Sequence, residues 1–256
     1  MAQTTRDMDL VQKAKEIVDA GKQVGVPIRI LGAIATRLHC SVDSTSGLKR
    51  ELSDIDLMAY GRFREQIKRL LLDLGYTPNE RFIALYGHLR FIFYDKDKNT
   101  IDVFFDKLPM CHTIDFAGRL ELDYPTITLS DLMLTKLQIV QFEEKDFKDL
   151  VCILREHEVG TTDQETVNAN RIADVLAKDW GFYYTVTSNL KKVEDALDQP
   201  NMTSHDKETV KGRIEEILEC MEKVPKDLSW RIRAKVGTKK KWYTEIEYRE
   251  NYDQSR

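Results

Sequence analysis

The chain has 256 residues, of which 42% are hydrophobic and 32% charged, and a formal charge of -4. That length allows one or two domains with a sizeable core, and the small negative charge excludes a global attraction to nucleic acid or an anionic membrane, so any such binding must come from a local patch. The four cysteines, Cys40, Cys111, Cys152 and Cys220, lack zinc or disulfide-frame spacing, and there is no apolar leader or membrane-length window; a cytoplasmic protein with reduced thiols is expected.

From about Asp7 to Val24, Met8, Leu10, Val11, Ala14, Ile17 and Val18 recur at helical spacing and predict an amphipathic helix that Pro27 ends. Ile28-Arg29-Ile30-Leu31 then reads as a strand running through Gly32-Ala33 into a helix over Ile34 to Leu38. A strand that turns at glycine into a helix aims backbone N–H groups and the positive helix end at whatever lies above it, which suits a phosphate. Cys40 to Leu52 is a polar loop carrying Lys49, Arg50 and Glu51.

Ser53-Asp54-Ile55-Asp56-Leu57-Met58-Ala59-Tyr60 follows. In an extended chain the side-chain period is two, so Asp54 and Asp56 share one face while Ile55 and Leu57 point to the other. Two neighbouring carboxylates repel unless a proton or cation neutralises them, and a divalent metal with oxygen ligands does so on a rigid strand. Taken alone, such a pair is also compatible with a solvated turn.

A second amphipathic helix is predicted from Phe63 to Leu74, closed by Gly75. The runs Phe82–Tyr86, Leu89–Tyr94 and Thr100–Phe105, the last two split by a charged turn, read as antiparallel strands. Asp102 shares a strand face with Thr100 and Phe104, where a carboxylate needs a partner. Leu122 to Thr128 is expected to be extended, Ser130 to N-cap a helix through about Phe142 with Asp131 in its first turn, and a further helix to span Asp146 to His157.

This order implies an α+β fold, a mixed sheet with flanking helices over residues 1–160. Gly160-Thr161-Thr162 marks the expected boundary, and 161–256 is read as a C-terminal helical domain: helices from about Gln164 to Asp179, Gly181 to Leu197 and Ser204 to Val224, with a break at Gln199-Pro200-Asn201. The basic tail, with Arg231, Arg233, Lys235 and Lys239-Lys240-Lys241-Trp242-Tyr243, reads either as a solvated terminus or as a phosphate-contacting patch with stacking aromatics.

If the strand of Asp102 lies beside that of Asp54 and Asp56, three carboxylates meet near a helix N-terminus and can hold one or two Mg²⁺ ions that bridge the phosphates of a nucleoside triphosphate. Asp102 would then accept the proton of the attacking hydroxyl.

Gly32-Ala33, Asp54-Ile55-Asp56 and Ile101-Asp102-Val103 resemble the glycine turn, paired Asp and third Asp of the polymerase-β-like nucleotidyltransferase superfamily. Leu129 to Leu137, with Lys136, and the later Lys145 to Leu150, with Lys148-Asp149, are similar more narrowly to its AbiEii-type (abortive infection toxin) branch. The resemblance spans about Pro27 to Leu154. It implies a nucleotidyltransferase fold, Mg²⁺ or Mn²⁺ held by Asp54, Asp56 and Asp102, an NTP as substrate, and phosphate contacts from Lys136 and Lys148, with Asp149 orienting one of them. It also implies an RNA (a tRNA 3′ end) or protein acceptor and an antitoxin partner. Arg37 and His39, one turn into the helix after Gly32, could face the phosphates, with a structural role expected for His39. Ala33 departs from the usual Gly-Ser and removes a hydroxyl contact. It keeps open a second reading, a catalytically weakened nucleotide-binding or toxin–antitoxin module; a third is an antibiotic-type nucleotidyltransferase acting on small molecules, with the helical half forming the acceptor pocket.

Overall fold

Helical spacing at the amino terminus is realised as α1 (Ala2–Gln23), which buries Leu10, Ala14, Ile17 and Val18 in one stripe. The structure, a computed structural model, describes residues 2–41, 48, 50–198 and 202–245. Most of the loop read between Cys40 and Leu52, Lys49 included, and the break at Gln199-Pro200-Asn201 lie outside the described residues.

After α1 come β1 (Ile28–Leu31), α2 (Gly32–His39), β2 (Asp54–Ala59) and α3 (Arg64–Asp73). Then follow β3 (Thr77–Pro78), α4 (Glu80–Tyr86), β4 (Arg90–Tyr94) and β5 (Thr100–Phe105). The five strands form one sheet in the order β1-β2-β5-β4-β3, with β2 and β5 parallel and the other neighbours antiparallel. Ile55 and Leu57 stand beside Ile101 and Val103, which stand beside Phe93 and Phe91, and all are buried on one face. Burying that apolar surface at about 25 cal/mol per Å² is what holds the strands in register, since a slip of one residue would exchange the two faces.

The run Phe82–Tyr86 is helical, not extended. Asn79 accepts a hydrogen bond from the Phe82 N–H at 3.0 Å and caps α4, and Glu80 sits in the positive first turn. That cap and the tertiary site for Phe82 outweigh a β-leaning composition.

A small hairpin, β6 (Lys107–Pro109) and β7 (Thr113–Asp115), leads to α5 (Leu129–Leu137), every residue of which is buried. Its cap is Thr128, whose hydroxyl accepts from the Asp131 N–H at 3.3 Å, not Ser130. The helix begins two residues earlier than expected, which frees the Ser130 hydroxyl to accept the Asn168 N–H at 2.7 Å; it ends at Leu137, short of Phe142.

α6 (Glu144–Glu156) and a short parallel pair, β8 (Val159–Gly160) and β9 (Val167–Asn168), precede α7 (Ala169–Leu176), α8 (Trp180–Asp195), α9 (Ser204–Lys223) and α10 (Leu228–Val236). The described residues beyond 160 are mainly helical, and the apolar core runs unbroken from Leu10 on α1 to Met221 on α9. The tail after α10 folds back: the Trp242 indole donates to Thr185 Oγ1 at 3.1 Å and the Thr244 N–H to the Cys111 carbonyl at 3.0 Å. Trp242 is therefore engaged within the protein, while Lys239, Lys240 and Lys241 are exposed. Among the described residues no helix is long and apolar enough to cross a membrane.

Candidate active site

Parallel pairing sets Asp56 directly opposite Asp102, and Asp54 opposite Thr100. In a parallel pair, opposed side chains leave the sheet on the same side. Asp54, Asp56 and Asp102 are therefore on one face, each partly buried, opposite the apolar face that anchors them.

The β1–α2 junction comes to the same place. Leu31 is the register partner of Asp56, and Gly32 follows it with φ +71°, a conformation that costs a residue with a Cβ about 1–2 kcal/mol. A Cβ at Gly32 would also overlap Asp56 Oδ2. Only glycine lets the chain turn into α2 against that carboxylate. The N-terminus of α2 has no side-chain cap, so its first N–H groups remain available for an anion.

Two cations act on these acids, Lys136 and Arg90. Lys136, from α5, is buried and bonds Asp149 Oδ2 of α6 at 2.6 Å, and Arg50 reaches the same oxygen at 3.1 Å. Asp149 therefore orients Lys136 and Arg50, whereas Lys148 pairs with Glu144 at 2.8 Å. Lys148 nevertheless lines, with Ala33, Thr36, Arg37, Arg50 and Asp149, one narrow recess along α2 of about 10 Å³, space for a single water. Arg37 is held there by the Arg50 carbonyl at 2.7 Å. On the sheet, Arg90 Nε of β4 lies 3.3 Å from Asp102 Oδ1.

Burial pushes the Asp56 carboxyl up to about 8, with the charges of Asp54 and Asp102 adding to the push and Lys136 and Arg90 opposing it. Three carboxylates on one face are more negative charge than the neighbouring cations offset.

The sequence-derived set thus divides cleanly. Asp54, Asp56, Asp102 and Gly32 adjoin one another on the sheet; Ala33, Arg37, Lys148 and Asp149 line the recess; Lys136 links the two groups, through its bond to Asp149 and its charge on Asp56. His39 is structural, its Nε2 bonded to Thr126 Oγ1 at 2.7 Å and its carbonyl to His157 Nε2 at 3.0 Å. Arg50 and Arg90 were not singled out as site residues. For Arg90 the available signal was a lone charge opening an aromatic strand.

Among the described residues no three His, Cys, Asp or Glu side chains close into a ready-made metal cage. The donor chemistry nevertheless suits a hard divalent cation: oxygen ligands only, on adjacent strands, carrying excess negative charge.

No protein-family model matches the sequence, and no curated protein matches it significantly. Among solved structures, the chain is similar to the antibiotic-resistance factor ANT(2'')-Ia, at 14% identity and a TM-score of 0.38 over 84% of this chain and 96% of that one. It is also similar to an antigenic nucleotidyltransferase-like protein from Paracoccidioides brasiliensis, at 12% identity and a TM-score of 0.39 over 70% of this chain and 92% of that one.

Proposed function

We propose that this protein is a nucleotidyltransferase that moves a nucleoside monophosphate from an NTP to an acceptor hydroxyl and releases pyrophosphate. The observation that carries the reading is the β2–β5 register, with Asp56 opposite Asp102, Asp54 on the same face and the Gly32 turn pressed against Asp56. Asp54, Asp56 and Asp102 would hold Mg²⁺ or Mn²⁺. When bound, such an ion supplies charge stabilisation for phosphoryl oxygens and orients the reacting groups.

The chain's own groups account for the rest. The α2 N–H groups, Arg37, Arg50 and Lys148 bind the triphosphate through its charge, and Lys136, fixed by Asp149, adds a buried positive charge beside the acids. The acceptor oxygen attacks the α-phosphorus as the bond to the bridging oxygen of pyrophosphate breaks, and Asp102 takes the hydroxyl proton. Ala33 offers no hydroxyl, so backbone donors carry that contact. By its resemblance to the AbiEii-type branch, the acceptor is an RNA or a protein and an antitoxin is a partner.

Incubation with labelled NTPs, Mg²⁺ and total RNA or cell extract tests this. Label transfer should fall roughly 10²–10⁴-fold in Asp102→Ala, the range for loss of a proton acceptor. Transfer that survives both Asp54→Ala and Asp102→Ala would place the chemistry elsewhere. The 3.3 Å contact between Arg90 and Asp102 favours one second reading, a weakened module that binds nucleotide without turnover; calorimetry showing NTP binding without labelled product would select it.

A further inference from the structure

The contact between Arg90 and Asp102 is unusual in its surroundings. Arg90 opens β4 opposite Phe104, and Ile92 lies opposite Asp102, so arginine and carboxylate are diagonal neighbours on the face that carries the three acids. The guanidinium lies over two rings, 5.0 Å from the centroid of Phe82 and 5.2 Å from that of Phe104. Phe82 is buried, the residue of α4 that packs inward. Cation–π contacts on a flat guanidinium fix its plane, and so fix where its N–H edge points. Its Nε lies 3.3 Å from Asp102 Oδ1, an ion pair in which these two atoms are not hydrogen-bonded and which is longer than the 2.7–2.9 Å of a well-formed charge-assisted bond.

The site's other internal cation is committed elsewhere, because Lys136 holds Asp149 at 2.6 Å. Arg90 is thus the cation set directly against one of the three acids, Asp102. A divalent ion carries twice its charge and approaches oxygen more closely, so both compete for the same carboxylate.

Resting on the nucleotidyltransferase reading, we propose that Arg90 is a positioning residue that holds Asp102 in reserve and yields it when a metal-bound nucleotide enters. Without nucleotide, Arg90 competes with the metal for Asp102. With nucleotide, the phosphate-bound ion outcompetes the guanidinium, which stays stacked between the rings as a guide for the freed carboxylate.

The test is Mn²⁺ binding, read by electron paramagnetic resonance with and without a non-hydrolysable NTP analogue, in the full-length chain and in Arg90→Gln and Arg90→Lys, with label transfer measured alongside. Arg90→Gln should bind Mn²⁺ more tightly than the parent when nucleotide is absent, by roughly tenfold, the scale on which groups behind the ligands change metal affinity. The parent should tighten on adding the analogue, and Arg90→Gln should tighten less. Its kcat should fall with KM for NTP little changed. Arg90→Lys, which keeps the charge but loses the planar stack, should keep the parent's weak nucleotide-free binding with a lowered kcat.

Unchanged or weaker Mn²⁺ binding in a folded Arg90→Gln would overturn the inference, as the signature of a purely structural arginine. If Arg90→Gln does not fold, Arg90→Lys decides: Mn²⁺ binding and kcat both equal to the parent's would overturn it. A parent chain that binds no Mn²⁺ with or without the analogue would overturn the nucleotidyltransferase reading itself, and this inference with it. Transfer abolished by Asp102→Ala but indifferent to Arg90 would leave that reading standing and sink this inference alone.

Discussion

At the scale of single residues, the acids work against the fold they sit on. Asp56 is desolvated beside two other carboxylates, so an uncharged isostere relieves repulsion while removing a ligand. Asp56→Asn should raise stability by about 1 kcal/mol in thermal unfolding with chelator present, and should abolish transfer. His112 shows the opposite balance. It is buried, stacked on Phe182 at 4.7 Å and bonded through Nε2 to Thr185 Oγ1 at 2.9 Å. Burial lowers its imidazole from 6.5 to about 4, with Asp179 pulling the other way. The folded value lies below the unfolded one, so its contribution is whole above pH 6.5 and is lost as pH falls toward 4. Urea unfolding at pH 7 and pH 4.5 should differ by an amount on the order of 2 kcal/mol from this residue, and His112→Gln should flatten that difference. The acid triad was legible because a period-two strand announces which side chains share a face. The partners were not legible: nothing local in Arg90 or Arg50 says which of many carboxylates it will meet.

At the scale of elements, the β1–α2 turn carries the tightest constraint. Gly32→Ala combines a left-handed φ with overlap at Asp56, so it should cost about 1–3 kcal/mol and push the carboxylate out of register with Asp102. Chemical denaturation and label transfer should both register it, whereas Gly75→Ala, also at positive φ but with open space around it, should lose stability alone. Strand and helix types near the turn followed from hydrophobic period. α4 did not, because five residues of Phe, Ile, Ala, Leu and Tyr fit either period. Asn79 followed by Glu80 was the discriminating signal, a helix start written in capping chemistry.

At the scale of the whole molecule, a charged network ties α5 to the segments after residue 160. Asp131 is fully buried and bonded to Arg119 at 2.8 Å and to Arg171 at 3.0 Å, and Arg119 also bonds Asp163 at 2.8 Å. Removing one member of such a network strands the others in a low dielectric. Asp131→Ala should therefore destabilise by about 3–5 kcal/mol, seen as a large drop in the urea midpoint, while Asp131→Asn should fall between. Residues 1–160 expressed alone would leave Arg119 without Asp163 and uncover α5 and α6, so we expect an aggregation-prone product by light scattering. Sequence reading assigned Asp131 only to the first turn of a helix; its partners are 12 and 40 residues away and carry no periodic signature.

The margins of the sheet have a consequence for assembly. At one end β3 is two residues long and includes Pro78, which has no N–H to offer. At the other, the outer side of β1 is already taken: the Ile30 N–H donates to the Pro125 carbonyl and the Ile30 carbonyl accepts from Ile127. Both flanks are thereby poor templates for a foreign strand, and backbone bonding at exposed edges is what invites fibrils. Copies of this chain, or a protein that docks on the five-stranded sheet, are therefore expected to meet it through side chains rather than by adding a sixth strand.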